Sequence, residues 1–167
     1  AQDARSLEFF DRVARKYCTS EGSDTTTIIL ARATNPPTVT SMSATEFKKR
    51  YDTPEAMKAL MAKTGTGSRI YDTICEAVRE AKPLMNDKTR SAMFVLSPMV
   101  DTYSPPPNPM GAALRHLVEF DRKNGAIAFF GVERREAHHL RLTLDGMLRN
   151  YIVASASEAN WPLPEWK

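Results

Sequence analysis

Two short, nearly continuous apolar runs, Ser91–Ser97 (SAMFVLS) and Ala126–Val132 (AIAFFGV), constrain this chain more than any other feature. Neither shows the polar alternation of a strand with one wet face, so each reads as a strand covered on both faces. Between them, Leu114, Leu117 and Val118 recur at helical spacing. A strand, a helix and a second fully apolar strand imply parallel pairing, with the helix as the crossover.

The rest of the chain extends this alternation. Leu7, Phe10, Val13, Ala14 and Tyr17 predict an opening helix with one apolar stripe. Thr25–Ala33 is β-branched and apolar and predicts a strand, Asn35-Pro36-Pro37 a turn, and the mostly polar Thr38–Met42 an edge strand. Ser43-Ala44-Thr45-Glu46 matches a capping box, with Ser43 capping a helix and Glu46 reaching back to it. Thr53-Pro54 ends that helix or starts another, whose apolar face is Met57, Leu60 and Met61. Ser68 is the expected N-cap of a further helix with Asp72 in its first turn, Lys82 near its end and Ile70, Ile74, Ala77, Val78 and Ala81 as its buried stripe. Leu140, Leu144, Met147 and Leu148 mark the last helix, and Tyr151–Ser155 the last strand. The expected fold is α/β: an open, mostly parallel, doubly wound sheet with helices on both faces. On such sheets ligands bind beyond the carboxyl ends of the strands, which places loops 64–68 and 97–111 on the functional rim.

A length of 167 residues suits one domain with a substantial core, here 1–167 with a C-terminal tail at 156–167. The net charge of +3 is modest and spread, with short clusters only at Lys48–Arg50 and Arg134–Arg135, which argues against nucleic acid as the partner. No apolar run approaches the ~20 residues of a membrane span. Cys18 and Cys75 have neither metal spacing nor a disulfide framework. Both read as buried thiols on helices in a reducing, intracellular compartment, with a single bridge as the alternative. A targeting segment removed by processing is compatible with this reading.

Thr66-Gly67-Ser68-Arg69-Ile70-Tyr71-Asp72-Thr73-Ile74 resembles the G-G-T-x-L-Y-D-A-I loop and helix of the von Willebrand factor A (vWA) family. Val95-Leu96-Ser97-Pro98-Met99-Val100-Asp101 resembles that family's V-L-S-D-G-x-D, and the element order agrees to the C-terminus. The resemblance implies a rim that in the family holds a divalent cation, the metal-ion-dependent adhesion site. Its ligands are a D-x-S-x-S motif, a Thr and an Asp. Ser68 stands at the Thr position and would be a residual ligand only, while Pro98 stands at the Asp position and has no side-chain oxygen. Asp3-Ala4-Arg5-Ser6-Leu7 does not supply D-x-S-x-S. The expected metal site is therefore degenerate: no cofactor is called for, and Mg²⁺ only if a D-x-S-x-S motif lies upstream. The family's central first strand has no counterpart either, because the chain starts where the family's first helix would start. It is a fragment, borrows a strand from a partner, or closes its sheet differently.

The resulting expectation is a non-enzymatic interaction or scaffold domain within a larger assembly, with another protein chain as partner. Ser68, Asp101, Tyr103, Pro105, Pro106 and Pro107 are the expected partner-binding residues, since they combine a charge, a ring and a stiff backbone at the rim. The alternative is a small α/β enzyme or phosphate-binding protein using Gly65–Ser68, which lacks the lysine of a P-loop. No catalytic residue is assigned. His138 and His139 are adjacent and diverge on a helix, so they read as surface residues, as does His116. Trp161 and Trp166 read as a cover for the domain's own edge, with a partner anchor as the alternative.

Overall fold

The computed structural model describes residues 2–17, 26–34, 36–61, 69–97, 99–100, 109–158 and 160–163. In chain order the elements are α1 (Gln2–Tyr17), β1 (Thr27–Arg32), β2 (Thr38–Ser43), α2 (Ala44–Arg50), α3 (Pro54–Met61) and α4 (Ile70–Ala81). They are followed by β3 (Ser91–Leu96), α5 (Pro109–Arg122), β4 (Gly125–Val132), α6 (Arg134–Leu144) and β5 (Tyr151–Ser155), with a 3₁₀ turn at Lys82–Leu84.

The architecture is mixed α/β. β3, β4 and β5 form a parallel sheet in that spatial order, paired in register from Ser91↔Gly125 and from Ile127↔Tyr151. All eight residues of β4 are buried, as its apolar run requires of a central strand. A bulge between Phe129 and Val132 shifts the pairing with β5, and Gly131 supplies the positive φ of 73° there. The single doubly wound sheet expected from sequence is not what is seen. β1 and β2 form a separate antiparallel pair, with Thr27 opposite Ser43. The Pro36-Pro37 turn joins them too tightly for a crossover helix, so a hairpin is the only pairing open to them. β2 is mostly exposed, as expected of an edge.

A second correction concerns β3. Among the described residues its one neighbour in the sheet is β4; Phe94 and Leu96 are half-buried, with only Val95 fully enclosed. Its apolar sequence has helices on both faces but one strand partner.

Local chemistry sets the helix ends. Ser43 Oγ accepts from the Glu46 N–H at 3.1 Å, while the Glu46 carboxylate takes Arg50 Nε at 2.7 Å rather than completing the box. Thr53 Oγ1 accepts from the Ala56 N–H and Pro54 opens α3. α4 is capped at Arg69, not Ser68, which lies outside the described residues. The Arg69 guanidinium instead forks onto Asp72 Oδ2, at 2.9 and 2.5 Å. Ile70, Ile74 and Val78 are buried, with Ala77 and Ala81 half-buried beside them. Cys75 is a buried free thiol, and burial pushes its pKa up from 9.0.

The core has two sides. On one, α4, α5 and α6 enclose Val95, Ile127, Phe129 and Val153. On the other, α1 contributes Phe9, which meets Phe94 and Phe130 edge-on at 5.0 and 4.9 Å. The α1 stripe read from sequence included Val13, which is half-buried, but omitted Phe9, the residue the helix buries most completely among those described. Trp161 stacks on Phe130 at 5.2 Å and is buried, so it covers the domain's own sheet; Trp166 lies outside the described residues. Asp121, 1% exposed, fastens the end of α5 to the entry of β5. Its Oδ1 accepts from the Arg149 and Asn150 N–H groups, both at 3.0 Å, and its Oδ2 receives Arg149 Nε at 3.3 Å. Among the described residues, no helix is long and apolar enough to cross a membrane.

Candidate functional site

Of the residues expected to bind a partner, Ser68, Asp101, Tyr103, Pro105, Pro106 and Pro107 all lie outside the described residues, as does Pro98. What is described of the rim begins where β3 ends. Ser97 is buried, and its Oγ accepts from the Met99 N–H at 3.0 Å. Met99 takes a left-handed backbone conformation, φ 62°, and is 1% exposed. That turn drives its side chain down among Tyr71, Ile74, Met110, Ala113 and Leu117. The space left there is about 10 Å³ and apolar. A water needs at least about 10–15 Å³ and polar partners. At this point the rim is plugged with hydrocarbon.

The larger concavity lies along α5. Leu114, Arg115, Val118, Glu119 and Arg122 fall on one helical face and, with Lys123 and Met147, line a groove of about 510 Å³. Met147, from the turn after α6, is 47% exposed, and Leu114 and Val118 are half-buried. In the sequence, Leu114, Leu117 and Val118 marked the helix by their spacing. Ala113, Leu117 and Phe120 are buried in the core, while Leu114 and Val118 are half-buried, pack against that same core and also line the groove. The available signal was width, since an apolar stripe from 113 to 120 flanked by 115, 122 and 123 is broader than one buried face.

The groove is cationic. Among the described residues Glu119 is the one carboxylate lining it, and Lys82 Nζ holds it at 2.5 Å. That hydrogen bond from Lys82 lowers the Glu119 pKa below its usual 4.5. Arg115, Arg122 and Lys123 also line it and form none of the ion pairs found among the described residues, although the Lys123 charge contributes to the lowering of Glu119. His116 stands one residue from Arg115; burial, and then the Arg79 charge, lowers its pKa below 6.5.

The histidine pair takes no part. His138 and His139 are exposed on α6, and His139 offers its backbone carbonyl to Thr143 Oγ1 at 2.9 Å. Among the described residues, no three His, Cys, Asp or Glu side chains gather as a metal site would need. Comparison with family models, with curated proteins and with solved structures finds no match to this chain.

Proposed function

We propose that this chain is a non-enzymatic protein-interaction domain that works inside a larger assembly. The observation that carries this reading is the α5 groove: an apolar floor of Leu114, Val118 and Met147 beneath Arg115, Arg122 and Lys123. An amphipathic helix with an acidic rim fits such a surface, its apolar face on the floor and its carboxylates on the cations. Asp101, Tyr103, Pro105, Pro106 and Pro107 stand just ahead of α5 in sequence and are proposed as a second contributor to partner binding. The vWA-like motifs support the same reading, because Pro98 offers no oxygen where that family places its metal-binding Asp.

The test uses a fluorescently labelled, acidic amphipathic helical peptide and anisotropy titration. Binding should weaken at least about tenfold in an Arg115→Glu, Arg122→Glu double variant, and should weaken with added salt. His138→Ala with His139→Ala should leave it unchanged. Equal affinity for the wild type and the charge-reversed groove, or loss on replacing the histidines, would remove the basis of this reading.

A further inference from the structure

The turn that carries α5 into β4 runs through Lys123-Asn124-Gly125, and separate demands fix its last two residues. Asn124 has a φ of 59°, the left-handed conformation that asparagine and glycine adopt at least cost. Asparagine adds what glycine cannot: its Nδ2 donates to the Asp87 carbonyl at 3.2 Å, tying this turn to the one that precedes β3. The Asn124 carbonyl accepts from the Ser91 N–H, also at 3.2 Å, at the start of the β3–β4 ladder, where Ser91 is opposite Gly125. Gly125 is buried, and a Cβ on it would run into the Phe120 carbonyl and ring. The fold therefore sets asparagine directly before glycine.

That pairing is chemically unstable. A backbone nitrogen can attack the side-chain carbonyl of an asparagine that precedes it, and the main obstacle is the side chain of the attacking residue. Glycine has none. Asn35 and Asn108 precede proline, whose nitrogen carries no proton to lose, and Asn86, Asn150 and Asn160 precede Asp87, Tyr151 and Trp161. Asn124 alone precedes glycine. It is also exposed, so water reaches its carboxamide.

We propose that Asn124–Gly125 is a site of spontaneous deamidation in the folded protein. The Asn124 carboxamide first leaves the Asp87 carbonyl, a single exposed bond. The Gly125 nitrogen gives up its proton and bonds to Asn124 Cγ. The Cγ–Nδ2 bond breaks, and Nδ2 takes up a proton and leaves as ammonia. Water then opens the resulting succinimide ring at either carbonyl, giving aspartate or isoaspartate. Nothing is oxidised or reduced: water enters and ammonia leaves. Both products set a carboxylate where a donor faced the Asp87 carbonyl, so the tie between the two turns is lost. Isoaspartate also routes the main chain through the side chain, which removes the peptide carbonyl that received Ser91. The new negative charge lies next in sequence to Lys123 and close behind Arg122, both lining the α5 groove. It lowers the attraction of that groove for an acidic partner, a consequence that rests on the function proposed above; the modification itself does not.

The folded chain is aged in mildly alkaline buffer, beside a sample aged in urea, and both are mapped by mass spectrometry. In the folded sample the peptide containing Asn124 should gain the mass of an NH₂-to-OH exchange before any other asparagine peptide. Ion exchange should resolve a matching, more acidic form. Asn124→Gly keeps the positive φ without a carboxamide and should form none of it. Gain confined to the urea sample, gain first at another asparagine, or an equal acidic form from Asn124→Gly overturns the proposal. In the separated acidic form the Ser91 amide should exchange faster with solvent than in the unaged chain. Unchanged exchange overturns the loss of the tie. The labelled acidic peptide should bind that form about two- to fivefold more weakly at low salt, as one exposed charge interaction allows. Unchanged affinity, where Arg115→Glu with Arg122→Glu still weakens binding, overturns the effect on the groove alone.

Discussion

β1 and β4 are built from the same kinds of residue and meet different fates. Ile28, Ile29 and Leu30 on β1 are as apolar as Ile127, Phe129 and Phe130 on β4. Yet every residue of β4 is buried, whereas β1 is exposed at Thr27 and only half-buried from there to Arg32. Among the described residues, β4 has a strand on each side and helices on both faces, and β1 has helices and one strand. Hydrophobicity specifies that a residue can be buried. The number of neighbours specifies how far it is.

The comparison is most directly broken at Phe129. Its side chain is 0% exposed, so Phe129→Ala should cost about 3–5 kcal/mol by urea denaturation. A loss below about 2 kcal/mol, under that range, would place the centre of the core elsewhere. Gly125→Ala should follow at about 1–3 kcal/mol, because a Cβ there would lie 2.3 Å from the Phe120 carbonyl oxygen, which the chain cannot easily move. A neutral result would mean that the α5–β4 turn is looser than its geometry.

The edge sharpens the contrast. Leu96→Ala should cost about 1–2 kcal/mol, below the 2–5 of an enclosed leucine, since Leu96 is only half-buried. A larger loss measured in the same denaturation series would make β3 equivalent to β4.

The smallest effect concerns His116. Burial, and then Arg79, holds its folded-state pKa below 6.5, so on acidification the unfolded chain takes up this proton first. Its contribution is complete above pH 6.5 and is lost as pH falls through that value towards the folded-state pKa. Glu119, held below 4.5 by Lys82, adds a loss of the same sign at lower pH. His116→Gln should flatten the upper part of the stability–pH curve, measured from about pH 7 to 5. An unchanged slope would place the titration on another group.

Much of the fold is legible in sequence because its signals are local. The periodicity of 70–81, the Ser43 cap, Pro54 at a helix start and the apolar run 126–132 each report on a few neighbouring residues, and each reappears as an element. The expected strand Thr25–Ala33 is found as β1, Thr27–Arg32. Pairing is a different kind of information. Nothing within SAMFVLS says whether one strand or two will lie beside it, so the half-burial of Phe94 and Leu96 and the hairpin's separation from the larger sheet were not readable. Phe9 escaped because the spacing pattern was counted through Leu7, Phe10 and Val13 and passed over it. The α5 groove was hidden for a related reason: Leu114 and Val118 pack against the core and line the groove at once, and helical spacing reports only the helix.

The aromatic cluster on Phe130 has a kinetic consequence. Arg12 donates to the Trp161 carbonyl across 149 residues of chain, and Arg5 lies 5.7 Å above the Trp161 ring. α1 is thus made early in synthesis while its lid is made late. At about 5–20 residues per second, the first helix waits roughly 7–30 s for Trp161. Until then Phe9 and the Phe94–Phe130 surface stand uncovered, the interval in which a nascent chain is most open to a chaperone or to aggregation.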